Sequence, residues 1–167
     1  SPLPEERRSL KKYISKIDKI AAFSDDMRDG LNGSVFEKED KGFVSGKPGM
    51  EESIKFGIVA ATRHPQVDYS KVNYSKAPWA KEPYQTITYV DCHDNHTLWD
   101  VNAFKLPLAT PAAERARVQV LGLAFTAATG VTPPEDALPV AQGVPDDRWV
   151  DNIAELFGLS VRTAETH

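Results

Sequence analysis

Five side chains able to do acid–base, metal or sugar chemistry, Asp91, His93, Asp94, Asn95 and His96, fall within six residues. They follow Thr86-Ile87-Thr88-Tyr89-Val90, a β-branched and aromatic run that is the strongest strand signal in the sequence. Parallel α/β sheets build ligand sites at the carboxyl ends of their strands, so position and composition point the same way. Three chemistries compete for the cluster. Imidazoles and carboxylates ligate metals, but the D-x-H-D-x-H spacing matches no established ligand pattern and no second ligand cluster occurs elsewhere. Polar residues after a strand also cap the next helix and satisfy loose backbone groups. Sugar recognition is the third reading. Vicinal hydroxyls need an acceptor for two O–H groups with a donor beside it, which a carboxylate next to an imidazole supplies.

The elements that would position this cluster read as alternating strands and helices. Pro4-Glu5-Glu6 followed by Arg7–Lys19 predicts a basic helical opening with acids at its dipole-favoured start. Ile20–Phe23 is a short continuous apolar run, the pattern of a strand buried on both faces. Ser24-Asp25-Asp26 signals the start of a short helix through Leu31, ended by Gly30, Asn32 and Gly33. Glu37–Met50 is polar and glycine-rich, predicting a long surface loop, and Met50–Arg63 predicts a helix with Ile54, Ile58 and Ala61 on its apolar stripe. A loop follows over His64–Pro83. Thr110 and Pro111 open a helix to about Thr129 whose Leu121, Leu123, Ala124 and Phe125 are core candidates. Val131-Thr132-Pro133-Pro134 then breaks structure, and Asp147–Gly158 alone in the last stretch resembles a helix. This order predicts an α/β fold with a parallel sheet.

The chain's 167 residues suffice for one domain with a core, and 41% hydrophobic with 26% charged residues is ordinary for a globular protein. A formal net charge of −4 gives no broad attraction to nucleic acid or an anionic membrane, so neither is an expected partner. Charge is uneven, at +3 over residues 1–20 and −5 over residues 132–167, a pattern expected of solvated surface. The lone Cys92 excludes an internal disulfide and leaves the compartment undetermined. No apolar run approaches the ~18 residues that cross a bilayer. The sequence starts at Ser1 without an initiator methionine or signal-peptide pattern, which predicts a cleaved, truncated or excised chain.

The segment Tyr89-Val90-Asp91-Cys92-His93-Asp94-Asn95-His96-Thr97-Leu98-Trp99-Asp100 resembles the YVxxHDNxTLWD motif of type I pullulanases, starch-debranching enzymes of glycoside hydrolase family 13. Further segments resemble the same family in its own order: SPLPEERRSLKK at Ser1–Lys12, IAAFSDDMRDGLNGSVF at Ile20–Phe36, KGFVSGKPGMEESIKFGIV at Lys41–Val59 and VNYSKAPWAKEPYQTITYV at Val72–Val90. The resemblance covers about residues 1–100 and continues more weakly to 131, through ERARVQVLGLAF at Glu114–Phe125. It implies part of a (β/α)8 TIM barrel, with Ile20–Ser24 as the sixth strand, Thr86–Asp91 as the seventh, the helix after it, and an irregular C-terminal tail. Residues 1–131 would be a fragment of the catalytic barrel and residues 132–167 a divergent tail.

By the same resemblance Asp94 is the transition-state stabiliser, and His93, Asn95 and Trp99 are substrate contacts. No cofactor and no metal are implied. The partner is an α-glucan: pullulan, amylopectin or limit dextrin. The family's nucleophilic Asp and general-acid Glu stand on strands that precede Ser1, so the chain is expected to lack both. Retaining glycoside hydrolysis needs that carboxyl pair, which predicts an inactive isolated chain. Asp25, Asp26 and Asp29 fall in the family's short helix after the sixth strand, where caps and an Arg28 salt bridge are their expected roles. Trp79, Tyr84 and Trp99 are candidates for stacking on sugar rings or for packing. His64 and His96 have no assigned role. After Val131 the sequence departs from the family's eighth strand, through adjacent prolines that suit a central strand poorly. The alternative function is a non-catalytic carbohydrate-interacting or structural fragment.

Overall fold

The computed structural model describes residues 11–129 of the chain. Their elements are α1 (Lys11–Ile14), β1 (Ala22–Phe23), α2 (Asp25–Asn32), α3 (Glu51–Ile58), β2 (Thr86–Ile87), α4 (Leu98–Lys105) and α5 (Ala112–Ala128), with single 3-10 turns at Phe43–Ser45, Tyr69–Lys71 and Pro83–Gln85. β1 and β2 pair in parallel, Ala22 opposite Thr86 and Phe23 opposite Ile87. Sequence and structure therefore agree on an α/β arrangement with a parallel pair, and the described residues hold two strands rather than a closed barrel. Residues 132–167, expected as a divergent tail, and the start of the expected opening helix lie outside the described residues.

Both strands are shorter than their sequences suggest, and the partner explains why. A run of β-branched residues sets extended backbone, but a ladder lasts only as long as both strands do. β1 is stopped by Ser24, whose N–H donates to Ile87 O at 3.0 Å as the chain turns into α2. Thr88, Tyr89, Val90 and Asp91 therefore leave the ladder, against the expectation of a strand through Val90. The expectation that Ile20–Phe23 is buried on both faces also fails. Ile20 and Phe23 are 44% and 53% exposed, because a two-stranded sheet covers little of either face among the described residues.

The core sits where α2, α3 and α5 meet. Met27, Leu31, Ile54, Phe56, Leu98 and Phe125 are at most 1% exposed. Burying each contributes on the order of 1.5–3 kcal/mol. Two glycines make the close approaches. A Cβ on Gly57 would lie 2.2 Å from Met27 Sδ, and one on Gly122 would lie 2.7 Å from Leu98 Cδ2, so α3 and α5 pack tightly onto α2 and α4.

The expected surface loop at 37–50 is instead folded into this core. Phe43 and Val44 are buried, and Phe43 packs edge-on against Phe125 with centroids 5.7 Å apart. The flanking glycines hid this in the sequence: Gly46 takes φ 89° and ends the 3-10 turn that drives Phe43 inward. α3 stops at Ile58 rather than Arg63 because Ala60 and Ala61 take φ 53° and 57°, reversing the chain. That left-handed pair frees Ala61 O to accept from Trp79 and Ala80 N–H, each at 3.2 Å. α5 matches its predicted span, with Pro111 rather than Thr110 at the cap and Leu123 turned out at 48% exposure.

Candidate functional site

The segment leaving β2 is fixed from both sides by α2. Arg28 Nη1 donates to Tyr89 Oη at 2.7 Å, and that hydroxyl donates to Asp25 Oδ1 at 3.2 Å. Desolvation, with the charge of Asp25 behind it, pushes the Tyr89 phenol up to about 12. One residue on, Asn32 Nδ2 donates a short bond to Val90 O. Asn32 also presents its carbonyl to Lys105 Nζ at 2.7 Å, and the same amine reaches Ser34 O at 2.9 Å. Lys105 is 4% exposed, and burial lowers its pKa below the ordinary lysine value. The last residue of α2 thus grips the chain just before the polar cluster and at the end of the helix just after it.

Within that clamp the cluster divides its labour. Asp91 Oδ2 accepts from Leu98 N at 2.6 Å, so Asp91 caps α4. Thr97 Oγ1 accepts from Asp100 N at 3.3 Å and donates to Asp100 Oδ2 at 2.8 Å, completing the helix start. His93 and Asp94 take no part in this. They occupy a turn closed by Asn95 N–H on Cys92 O at 3.4 Å, and both side chains are exposed. Asp94 Oδ1 accepts from the Cys92 thiol and from Asn95 Nδ2, the latter at 3.2 Å. The thiol's hydrogen bond, aided by the charge of His93, holds the Asp94 carboxyl below the usual carboxylate range. The same bond raises the Cys92 pKa. The result is an ionised, accessible carboxylate beside an imidazole, with local partners that orient it.

Other candidates separate clearly. Trp99 sits in the first turn of α4 with 47% of its surface open, so its ring is available. Trp79 is 7% exposed, with Lys11 Nζ 5.8 Å from its ring centroid, and packs rather than stacks. Tyr84 is exposed and donates to Asp18 at 2.9 Å. His96 is exposed and lies edge-on to Phe104 at 5.5 Å. His64 Nδ1 accepts from Gln66 N at 3.2 Å within its own loop.

The three aspartates of α2 are committed to structure. Asp25 bridges Lys11 at 2.6 Å and Arg28 at 3.4 Å. Asp26, fully buried, accepts from Tyr74 N, Ser75 N and Ser75 Oγ at 3.1, 2.9 and 2.6 Å. Asp29 binds Arg28 through both oxygens and accepts from Tyr74 Oη at 2.7 Å. Among the described residues no group of three or more His, Cys, Asp or Glu side chains is placed to hold a metal ion. No helix among them is long and apolar enough to cross a membrane. Sequence reasoning missed Asn32 and Lys105 as organisers of the turn; nothing in their local sequence marks them. It also missed α4, although Thr97-x-x-Asp100 is a capping-box pattern visible in the sequence.

No protein-family model matches the chain. A pullulanase of Bacillus subtilis strain 168 is 30% identical to it over 131 residues, which is 78% of this chain and 17% of that protein. Among solved structures, type I pullulanase from Bacillus subtilis strain 168 complexed with maltose superposes with a TM-score of 0.64 at 30% identity, covering 75% of this chain and 16% of that one. Apo pullulanase from Paenibacillus barengoltzii gives 0.62 at 35% identity, covering 74% of this chain and 18% of that one. The chain thus spans about a sixth of the length of the relatives it matches. Sequence and backbone together make most of this chain similar to a partial segment of type I pullulanases.

Proposed function

We propose that the chain is part of a starch-debranching glycoside hydrolase that cleaves α-1,6-glucosidic bonds with retention. On this reading β1 and β2 are the sixth and seventh strands of a (β/α)8 barrel and α5 follows the seventh. Residues 1–131 form part of the catalytic barrel, with residues 132–167 a divergent tail. Pullulan, amylopectin and limit dextrins are the substrate class, a reading supported by the maltose complex of the Bacillus subtilis enzyme. Retaining cleavage proceeds through a glycosyl ester on a carboxylate nucleophile while an acid protonates the leaving oxygen. Both groups come from outside this chain, and no cofactor is needed.

Asp94 stabilises the transition state. Its hydrogen bonds to sugar hydroxyls strengthen as the ring flattens and positive charge grows at the anomeric carbon. His93 donates beside it, Asn95 orients the carboxylate, and Trp99 offers a face to a neighbouring ring. The observation that carries the reading is the division of labour around the turn. Asp91, Thr97 and Asp100 hold the helix, leaving the His93–Asp94 pair exposed and bonded only to its own turn. Kinetics on pullulan test it, in a polypeptide that also carries the nucleophile and general acid. Asp94→Asn keeps the shape and removes the charge, so kcat should fall about 10²–10³-fold with KM nearly constant. An unchanged kcat with a raised KM would reduce Asp94 to a ground-state binding group.

A further inference from the structure

A surface helix ordinarily turns polar residues to water, and the outward face of α5 does not. Ala112, Ala113, Ala116, Val120, Leu123 and Ala127 recur there at helical spacing and are all exposed, Val120 by 49% and Leu123 by 48%. Arg117 stands at the edge of this stripe, 74% exposed and paired within the helix to Glu114 at 3.3 Å. The opposite face of α5, with Leu121, Gly122 and Phe125, is the one packed into the core. We propose that the outward face is a docking surface for a segment of the same chain, Asp147–Gly158, laid along α5 as a second helix. The proposal does not depend on the sugar chemistry of the Asp94 turn.

Three features select this occupant. The first is pattern. Trp149, Val150, Ile153, Leu156 and Phe157 fall at i, i+1, i+4, i+7 and i+8, which a helical turn of 3.6 residues gathers into one arc about 120° wide. Asp147, Arg148, Asp151, Asn152 and Glu155 take the other side. The two stripes are complementary in size: the alanines of α5 leave room for bulky aromatic and branched side chains. They also match in length, since the segment would run about 18 Å as a helix and Ala113 to Ala127 runs about 21 Å. The second is reach. Residues 130–146 join α5 to the segment, and their 17 residues span up to about 56 Å when extended, so either direction of approach is open. Such a tether holds the segment at an effective concentration on the order of millimolar, which a second copy in dilute solution does not attain. The third is charge. Residues 132–167 carry a net charge of −5, and the exposed group beside the stripe is the cation Arg117.

The test uses the full 167-residue chain and substitutions on each face. Leu123→Glu puts a charge on the α5 stripe while keeping a good helix former, and Ile153→Glu with Phe157→Glu does the same in the segment. Each should lower the urea midpoint. Their combination should lower it no further than the larger single effect, because both break one contact. Asp151→Ala, on the far side of the segment, should leave the midpoint where it is. In the ¹⁵N-labelled chain, amide resonances of Ala116, Val120, Leu123 and Ala127 should move on Ile153→Glu/Phe157→Glu, although α5 itself is unaltered, and sedimentation should show a monomer. Leu123 is half exposed and clear of the core, so its variant keeps the described fold. A Leu123→Glu midpoint equal to that of the parent, or α5 resonances that ignore the changes in the segment, would overturn the proposal. Resonances that move with protein concentration, alongside a dimer in sedimentation, would overturn it in favour of a second copy on the stripe.

Discussion

If Asp91 serves the helix and Asp94 serves a ligand, their removal should have opposite profiles. Asp91→Ala deletes the acceptor for Leu98 N–H, a charge-assisted bond of 2.6 Å at the first residue of α4. Losing such a cap costs about 1–2 kcal/mol. Leu98 itself is fully buried against Gly122, so fraying of the first turn would loosen a core contact and push the cost toward the upper end. For a domain of this size each kcal/mol lowers Tm by about 3–6 °C, so a fall of about 4–10 °C is expected. Asp94→Ala removes bonds only to Cys92 and Asn95 in an exposed turn, and its effect should stay within about 0.5 kcal/mol. Urea denaturation of the two variants, read by tryptophan fluorescence, decides the matter. Equal destabilisation would mean that the turn carries fold stability and that its exposure says nothing about ligands.

Asp26→Ala should destabilise by about 3–5 kcal/mol through three lost acceptor contacts, whereas Asp26→Asn keeps two and should cost about 1–2 kcal/mol; paired urea titrations measure both. Asp25 is depressed despite burial by its bond to Lys11 and the charges of Lys11 and Arg28, and Asp40 likewise by Lys47 and the Ser34 N–H. Their stabilisation is therefore complete above the unfolded value of 3.8 and disappears as pH falls through the lower folded values, which an acid titration of Tm will show. Finally, purified 167-residue chain should release no reducing sugar from pullulan, with Asp94→Ala exposing any contaminating enzyme; turnover lost in that variant would mean that carboxylates within this chain had been wrongly dismissed.

What was legible in the sequence follows from how local each signal is. α2 and α5 were readable because caps and periodicity act within a few residues, and Ser24-Asp25-Asp26 or Thr110-Pro111 announce them directly. The strands were overextended because Thr88-Tyr89-Val90 specify extended backbone, while the ladder's end depends on Ser24, over sixty residues away in sequence. Phe43 and Val44 were hidden by their glycine and lysine neighbours, whose turn delivers them to Phe125. At the site, residue types and order marked His93 and Asp94. The hydrogen bonds that hold their turn come from Asn32 and Lys105, and a contact spanning 58 or 73 residues leaves no local trace.

The double grip of Asn32 has an evolutionary corollary. Val90 and Lys105 are both tethered to the end of α2, and Asp91 closes onto Leu98 in between. Residues 92–96 therefore form a bracketed insert whose endpoints are held independently of its contents. Replacing those five positions changes the chemistry displayed at the rim while the scaffold registers little of it. A saturation library over this window should consequently yield mostly folded members, and substitutions can accumulate there without compensating changes in the core.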